Sequence, residues 1–363
     1  LLSMTLGCLF FVTVQHLTRA GWSVTIRRIA EIFAMCILPM FLLSLPIVVP
    51  VLMGQAVVYP WVDSQWLAGD AESFREIKNA FLNKNWFGAR VITYFVIWSM
   101  MAYSFFGRSL KQDKTADPQL SRQMQKSATW KMIIFAATLV FASFDFEMSL
   151  SPRWFSTMFP VYFFAGGVMS SFALLILTSL LLQRSGRVTD EITVEHYHDL
   201  AKLTFAFIFF WGYIAFSQFM LIWYANLPEE TFWFRHRMGE SASKGWIFWS
   251  LLLLFGHLFI PFLGMMARTV RRNKTYLFFA TIYILAMHWV DHYWIIMPQY
   301  NVEMGGTDAT GANPLTFSWL IDVPCAIGMI GLYISLFSFI AADRPLVPLH
   351  DPRLEDSLNY RNA

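Results

Sequence analysis

The chain has 363 residues; 56% are hydrophobic, only 14% are charged, and the formal net charge is +3. About a quarter of the residues of a soluble domain are charged, so these numbers exclude a soluble multidomain protein, and the apolar content excludes a disordered chain. The near balance of charge argues against a nucleic-acid partner. The apolar runs are unbroken and about twice as long as the ~10-residue strands of a membrane barrel. We therefore expect an all-α polytopic membrane protein in a lipid bilayer.

A helix that crosses a bilayer needs about 20 mostly apolar residues, and the sequence contains nine such runs. The longest segments between them, 55–86 and 110–128, are too short for a separate soluble domain. Residues 1–342 are therefore predicted to form a single helical transmembrane domain, followed by a tail at 343–363. The predicted spans lie near 1–18, 28–54, 87–109, 129–150, 155–183, 198–226, 244–267, 274–297 and 314–342.

The loops differ in charge according to the side on which an alternating chain places them. One side carries nineteen basic and eleven acidic residues, and the other carries eight basic and thirteen acidic residues. The positive-inside rule makes the first side cytoplasmic. The tail 343–363 is then cytoplasmic and Leu1 lies at the outer side. One further helix before Leu1 is expected, which would give ten spans.

The outer loop 55–86 contains an amphipathic stretch, in which Phe74, Ile77, Phe81 and Leu82 share one helical face. Two interpretations remain open. The stretch is either a short helix on the membrane or on a partner, or a helix packed back on its own loop.

Small residues recur at helical spacing in the fifth and ninth runs, which allows neighbouring helices to approach closely. We interpret them as packing positions only. They are Gly166, Gly167, Ser170 and Ser171 in the fifth run, and Gly328, Gly331 and Ser335 in the ninth.

Ionisable residues inside a membrane are costly and indicate a functional site by default. Here they concentrate in the outer half of the membrane. The fourth run ends with Asp145 and Glu147, the eighth carries His288, Asp291 and His292, and the ninth carries Asp322.

The outer residues suit proton-coupled chemistry. His288, Asp291 and His292 are spaced i, i+3 and i+4 and therefore share a helix face, and an imidazole with a carboxylate partner can accept a proton from a hydroquinone. We expect Asp145, Asp291, His292 and Asp322 to line one hydrated pocket that opens outward. Glu147 points away from Asp145 and is not expected to share its site. The structural alternative is helix capping and interhelical hydrogen bonding.

No cofactor motif is present. Cys8, Cys36 and Cys325 are far apart and form no CxxC or CxxCH pattern, which argues against iron–sulfur ligation, c-type haem and structural zinc. His257 lies at mid-membrane, and no second histidine is expected beside it, so we interpret it as a hydrogen-bonded structural residue. The chain is expected to bind no metal and no haem.

A second polar group flanks helix starts on the inner side. Glu31 follows two arginines, and His198, Asp199 and Lys202 begin the sixth run. Asp199 and Lys202 are predicted to form an i, i+3 ion pair. An inner proton entrance at these four residues is the functional interpretation.

Four stretches resemble the ActF-type membrane subunit of bacterial Alternative Complex III, a quinol:electron-acceptor oxidoreductase related to NrfD/PsrC-type proteins. They are LTRAGWSVTIRRIAE, SFDFEMSLSPRWFSTMFPVYFFAG, HDLAKLTFAFIFFWGYIAFSQFMLIWYANLPEETFWF and MHWVDHYWIIMP, which together span residues 17 to 298.

The resemblance implies ten helices arranged largely as two four-helix bundles in the bacterial cytoplasmic membrane. It implies as partners a homologous quinol-binding membrane subunit, an iron–sulfur subunit and haem-c subunits, which would carry the redox centres of a respiratory or photosynthetic chain. Quinone or quinol is the ligand that it associates with this subunit. Asp145, Asp291 and His292 stand inside the resembling stretches as polar residues, with no ligand role assigned.

Two other functions are compatible with the sequence. One is an independent proton- or ion-coupled transporter, although such proteins usually show interrupted helices with polar segments at mid-membrane. The other is a purely structural scaffold subunit.

Overall fold

The chain is mostly helical in the part that the computed structural model describes, which is residues 1–63, 72–188, 190–238, 244–303 and 319–361; no strand occurs in these ranges. Short 3₁₀ turns lie at Pro60–Val62 and Met148–Leu150, and a π-helical segment at Leu253–Phe259. The α-helices are α1 (Leu2–Leu17), α2 (Val24–Met35), α3 (Ile37–Leu52), α4 (Glu72–Phe81), α5 (Lys84–Thr115), α6 (Pro118–Phe146), α7 (Phe159–Arg184), α8 (Val194–Ala225), α9 (Pro228–Met238), α10 (Lys244–Leu252), α11 (Ile260–Gly264), α12 (Arg268–Arg271), α13 (Lys274–Glu303), α14 (Trp319–Ala341) and α15 (Leu354–Leu358).

Seven helical segments in the described ranges are long and apolar enough to cross a membrane. α1 is also apolar but has only 16 residues, and α13 has 30. Each of the nine predicted runs lies on one of these helices, except that residues 314–318 of the ninth run fall outside the described residues. The prediction of an all-α polytopic membrane protein is therefore confirmed.

The segment 110–128 between two predicted spans is helical except at residues 116–117. α5 has 32 residues, about 48 Å at 1.5 Å per residue, and so extends well beyond a hydrocarbon core of about 30 Å. Lysine and arginine are good helix formers, so the helix continues past its apolar run until Ala116, which adopts left-handed φ of 51°. Asp117 then caps α6 by accepting a hydrogen bond from Gln119 N at 2.9 Å.

The π-helical segment has a local cause. Pro261 has no N–H to donate to the carbonyl four residues earlier, which belongs to His257, and its ring clashes with that carbonyl. The backbone widens to i→i+5 bonding just before the proline, and His257 lies within the widened turn. Such single π turns occur often at functional sites.

The helices form two groups of four segments that share a wall. The first group contains α1, α2–α3, α5 and α6, and the second contains α7, α8, the segment 244–264 and α13. α7 joins the groups because it contacts α1 and α6 as well as α8 and α13. α14 packs against α2. This arrangement agrees with the two-bundle architecture that the resemblance implies.

The small residues of the fifth run allow close packing, as predicted. A Cβ placed on Gly7 of α1 would lie 2.5 Å from Gly167 O and 2.7 Å from Ser171 Cβ of α7. The prediction for the ninth run is not met within the described residues, because a Cβ on Gly328 or Gly331 would meet no atom within 4 Å. α14 therefore offers an open small-residue face.

The amphipathic stretch of the outer loop forms α4, as predicted. The Arg90 guanidinium carbon lies 4.1 Å from the Phe81 ring centroid, and Arg90 Nη2 donates to Phe81 O at 3.0 Å. Leu82 packs against the main hydrophobic core. These contacts favour the interpretation in which the stretch packs on its own chain; the side chains of Phe74 and Ile77 lie outside the described part.

The residues after α14 pack across the end of both groups at which the basic loop residues are predicted, which we call the basic end. We call residues 344–360 the C-terminal strap. Leu349 N donates to Asp113 Oδ1 of α5 at 2.9 Å. The Tyr360 hydroxyl donates to Asp199 of α8. The strap therefore links the first group of helices to the second.

Candidate functional site

One face of α13 presents three ionisable side chains to the wall between the two helix groups. His288 and Asp291 are buried, at 3% and 2% exposure, and His292 lies beside them. Neighbouring elements complete the site: α1 contributes a serine, α7 a tyrosine, the π segment a histidine, and the end of α6 a glutamate. We call this set the outer cluster; it consists of Ser3, Glu147, Tyr162, His257, His288, Asp291 and His292.

A continuous hydrogen-bonded chain runs through the outer cluster. Glu147 Oε1 lies 2.8 Å from His292 Nδ1. Ser3 Oγ lies 3.1 Å from His292 Nε2 and 2.9 Å from His288 Nε2. The two imidazole Nε2 atoms are themselves 3.2 Å apart. The order is carboxylate, imidazole, hydroxyl and imidazole, and each of these groups can both accept and pass on a proton once it changes its hydrogen-bonding partner.

Asp291 is held by an aromatic wall. The Tyr162 hydroxyl donates to Asp291 Oδ1, and the Tyr162 ring lies 5.4 Å from the Trp211 ring. Tyr162 belongs to α7 and Trp211 to α8, and both helices contact α13. A carboxylate offers about four lone-pair sites, so the bond from Tyr162 leaves Asp291 able to accept a further proton donor.

His257 extends the site toward mid-membrane and overturns one expectation. The sequence interpretation predicts no second histidine beside it, but its ring centroid lies 6.4 Å from that of His288. The π turn brings His257 toward α13. On the other side of the His288 ring, Gly166 of α7 leaves space, since a Cβ on Gly166 would lie 3.4 Å from His288 Cε1. Linear periodicity could not show this contact.

Three members of the outer cluster have the arrangement of metal ligands. One ligand atom from each of His257, His288 and Asp291 lies within 4.8 Å of the other two. Within the described residues, Nδ1 of His288 is buried without a hydrogen-bond partner. Two imidazoles and a carboxylate are ligands that suit zinc or other transition metals. The expectation that the chain binds no metal stays a prediction, and these residues would hold one.

Asp145 does not belong to the outer cluster, so the expected single pocket is wrong. Its carboxylate accepts two bonds from Arg90, from Nε at 2.8 Å and from Nη2 at 2.7 Å. It also accepts a bond from the Tyr94 hydroxyl at 2.7 Å. The reason is local: Asp145 faces α5, whereas Glu147, two residues later, faces α13. The expected separation of these two carboxylates is therefore confirmed.

Asp322 also stands apart from the chain of hydrogen bonds. It lies half-buried on α14 and interacts with the Tyr293 hydroxyl of α13. Tyr293 is not a member of the outer cluster, so Asp322 meets α13 outside the chain of hydrogen bonds. Predicted depth in the membrane correctly grouped Asp291 with His292. Depth does not indicate which neighbouring helix a residue faces, so it could not exclude Asp322.

At the basic end of the helices, Glu31 is enclosed by arginines. Its two carboxylate oxygens lie 3.4 Å from Arg27 Nε and 3.2 Å from Arg28 Nε. Arg28 also pairs with Asp113 at 2.7 Å, and Arg27 pairs with Asp351 of the strap. Glu31 thus lies at the centre of a buried ionic network that joins α2, α5 and the strap.

The predicted ion pair at the start of α8 is confirmed, with Lys202 Nζ 2.5 Å from Asp199 Oδ1. His198 is buried beside this pair. Asp199 also accepts a hydrogen bond from the Tyr360 hydroxyl. Burial is the larger cause and the Asp199 carboxylate the smaller cause that raise the pKa of this phenol to about 12. The structure therefore separates the four inner residues into two networks, one at Glu31 and one at Asp199. A proton entrance there stays a prediction.

Sequence reasoning missed four residues that build these sites: Ser3, Arg90, Tyr94 and Tyr162. Arg90 carried a usable signal, because an arginine inside an apolar run needs a partner and the carboxylates of the outer half were the candidates. A serine and two tyrosines in apolar runs are common, so nothing in the sequence distinguishes these three.

The fold and the outer cluster define a class: a multi-pass helical membrane protein with a buried histidine–carboxylate site between two helix groups. A family model described as "Polysulphide reductase, NrfD" matches residues 85–303. This match covers more than half of the chain, and the chain belongs to the NrfD family. The matched segment runs from α5 through α13, and so contains every member of the outer cluster except Ser3.

Members of this family are integral membrane subunits of quinol- or polysulphide-type oxidoreductases and work with iron–sulfur subunits. A search of curated proteins gives no match to this chain.

Proposed function

We propose that this chain is the ActF-type membrane subunit of an Alternative Complex III, a quinol:electron-acceptor oxidoreductase of the bacterial cytoplasmic membrane. Family membership supports the general role, and the four resembling stretches support the specific assignment. We infer that the chain takes part in proton transfer at the outer side and that haem-c and iron–sulfur subunits carry the electrons.

The observation that carries this proposal is the hydrogen-bonded order of Glu147, His292, Ser3 and His288. Oxidation of a quinol to a quinone releases two protons and two electrons. The electrons go to redox centres on the partner subunits, and the protons need bases that are linked to the outer side. An imidazole accepts a proton on one ring nitrogen and releases one from the other, so two imidazoles joined by a hydroxyl form a relay that ends at a carboxylate.

Asp291 supplies a proton acceptor at the start of this relay. It lies three residues, about one helical turn, after His288 and directly before His292 on α13, and its oxygen is oriented by Tyr162. A proton received by Asp291 would need only a short transfer to reach either imidazole. Tyr162 positions the carboxylate, and its phenol stays the donor in that bond.

α1 provides a route toward the inner side. Besides Ser3 it buries Thr5, Thr13 and Gln15 among the two helix groups. Ser3 and Gln15 are twelve residues apart, about 18 Å along a helix axis. Thr5 Oγ1 lies 2.8 Å from the Tyr333 hydroxyl of α14, and Ser23 Oγ donates to Gln15 Oε1 at 2.7 Å. The polar positions on one central helix favour a subunit that carries protons across the membrane as well as releasing them.

The decisive experiment compares two aspartate variants in the intact complex. Asp291→Asn keeps the side-chain shape and removes the proton acceptor, whereas Asp322→Asn makes the same change on a helix outside the outer cluster. We expect Asp291→Asn to lower quinol oxidation and coupled proton release by at least tenfold, and Asp322→Asn to retain both.

Other outcomes would support the competing functions. Full activity of an assembled Asp291→Asn complex would indicate that the chain is a structural scaffold. Purification of the native chain without haem or iron–sulfur subunits, together with proton flux in vesicles that contain this chain alone, would identify an independent transporter. Both results would contradict the proposal.

A further inference from the structure

A cavity of about 360 Å³ opens at the basic end of the first helix group, far from the outer cluster. The inner half of α5 forms its floor, the end of α2 contributes Met35, and Arg344 of the C-terminal strap closes one side. The lining residues are Met35, Tyr103, Phe106, Gly107, Leu110, Lys111, Lys114 and Arg344.

The lining divides into a cationic end and an apolar wall. Lys111, Lys114 and Arg344 supply three positive charges. The Arg344 guanidinium carbon lies 5.0 Å from the Phe106 ring centroid, which orients the charge at the rim of the cavity. Asp113, the carboxylate between the two lysines in sequence, is engaged by Arg28 and by Leu349 N. Its carboxylate therefore pairs with Arg28 and the strap and is not among the residues that line the cavity.

The apolar wall continues along the outer surface of α5. Tyr103 is 71% exposed and Met100 is 66% exposed, and Val96 continues the same apolar surface one turn farther along the helix. In a membrane-spanning helix this surface contacts acyl chains. A ligand that occupies both parts has an anionic head at the lysines and a hydrocarbon tail along the wall.

We propose that this cavity binds the headgroup of an anionic phospholipid such as phosphatidylglycerol. Basic pockets between transmembrane helices at the cytoplasmic side bind such headgroups. Lysine and arginine also place their methylene stems on apolar surface while the charge reaches the interface, which is the arrangement here. The lipid would lie against α5, α2 and the strap, and would hold Arg344 at the end of α14.

Gly107 gives the cavity its depth. It lies on the α5 face between Tyr103 and Leu110, and a Cβ there would meet no atom within 4 Å. A leucine at this position would project into the cavity and reduce its depth without removing any of the three positive charges. Gly328 on α14 has equally open surroundings and does not line the cavity, so Gly328→Leu is its matched control.

The test uses the full chain, purified in detergent, incubated with equal amounts of phosphatidylglycerol and phosphatidylcholine and analysed by native mass spectrometry. We expect the native chain to retain phosphatidylglycerol preferentially. Lys111→Gln/Lys114→Gln should lower its retention at least tenfold, and Arg122→Gln/Lys126→Gln, which removes two exposed charges from α6, should not. Gly107→Leu should lower retention as well, and Gly328→Leu should leave it unchanged.

Three results would overturn the proposal. Equal retention of the two lipids would show no headgroup preference. Equal loss in the cavity variants and in their controls would show a general charge or packing effect. Displacement of the lipid by millimolar inorganic phosphate would show that the cavity is a site for a free anion.

Discussion

Ser3 Oγ lies 2.9 Å from His288 Nε2, although 285 positions of the chain separate the two residues. The contact depends on glycines in α7, the helix between them. A Cβ on Gly167 would lie 2.9 Å from Ser3 O, and one on Gly166 would lie 3.4 Å from His288 Cε1. The small residues of α7 therefore bring the first helix of the described chain to the relay on α13.

Replacement of Ser3 by alanine removes the hydroxyl between the two imidazoles. One hydrogen bond contributes about 1 kcal/mol, and 1.36 kcal/mol is a factor of ten in rate, so we expect proton release coupled to quinol oxidation to fall about fivefold to tenfold. Ser3→Thr keeps the hydroxyl and should retain most of the rate. Ser171→Ala is the control, since Ser171 Oγ donates only to Val168 O of its own helix in the described structure. An unchanged rate in Ser3→Ala would show that the serine hydroxyl takes no part in the relay.

The Arg90–Asp145 pair is expected to stabilise the fold and to leave the relay intact. Removing one partner of a buried ion pair leaves an uncompensated charge and costs about 3–5 kcal/mol; since the Arg90 side chain is 20% exposed, we expect the lower end for Asp145→Asn. Thermal unfolding in detergent measures it. The double variant Arg90→Gln/Asp145→Asn should lose less than the sum of the single variants, and strict additivity would show that the pair is not coupled.

The contact of α1 with α7 should tolerate no added atom at Gly7. Overpacking a close contact costs about 1–3 kcal/mol, and the Cβ of Gly7→Ala would lie 2.5 Å from a backbone oxygen, which cannot rotate away. We expect a clearly lower unfolding temperature. Gly107→Ala makes the same change on α5 in open space and should leave the unfolding temperature unchanged or slightly higher, because alanine favours a helix over glycine. Equal effects at both positions would mean that helix propensity alone explains the result.

The C-terminal strap should detach in acid. Burial disfavours the Asp351 carboxylate, but the Arg27 guanidinium and the Arg353 N–H outweigh it and hold the pKa of Asp351 below its ordinary value of 3.8. A lowered pKa in the folded state contributes stability above the ordinary value, and this contribution is lost as the pH falls through the lowered one. We expect the protection of the strap amides, taken relative to the intrinsic exchange rate at each pH, to be high at neutral pH and to fall below about pH 4. Asp351→Asn should show fast exchange at neutral pH, and equal protection at both pH values would contradict this assignment.

The sequence predicted those features that depend on local pattern. The apolar runs predicted each spanning helix because burial in lipid requires about 20 apolar residues regardless of neighbours. The i, i+3, i+4 spacing placed His288, Asp291 and His292 on one face because residues three and four apart are neighbours on a helix surface. Glycine spacing in α7 predicted the close contact, since no other residue permits backbone approach at that distance.

Features that depend on which helices are neighbours could not be predicted. The sequence predicts Asp145 and Asp291 in the same outer half of the membrane, but one faces α5 and the other α7. The approach of His257 to His288 depends on a widened turn before Pro261, which hydropathy does not register. α5 exceeded its predicted length because an apolar run reports the thickness of the bilayer, whereas a helix ends where its capping residues are.

The C-terminal strap also sets an order of events during synthesis. Its contacts with Asp113 and Asp199 come from residues 349 and 360, which leave the ribosome after all the spanning helices described here. The two helix groups must therefore enter the bilayer and pack along α7 before anything fastens them at the basic end. During that interval the contacts of α7 with α1 and α6 hold the two groups together, and a lesion there, such as a bulkier side chain at Gly7, would act before the strap could compensate.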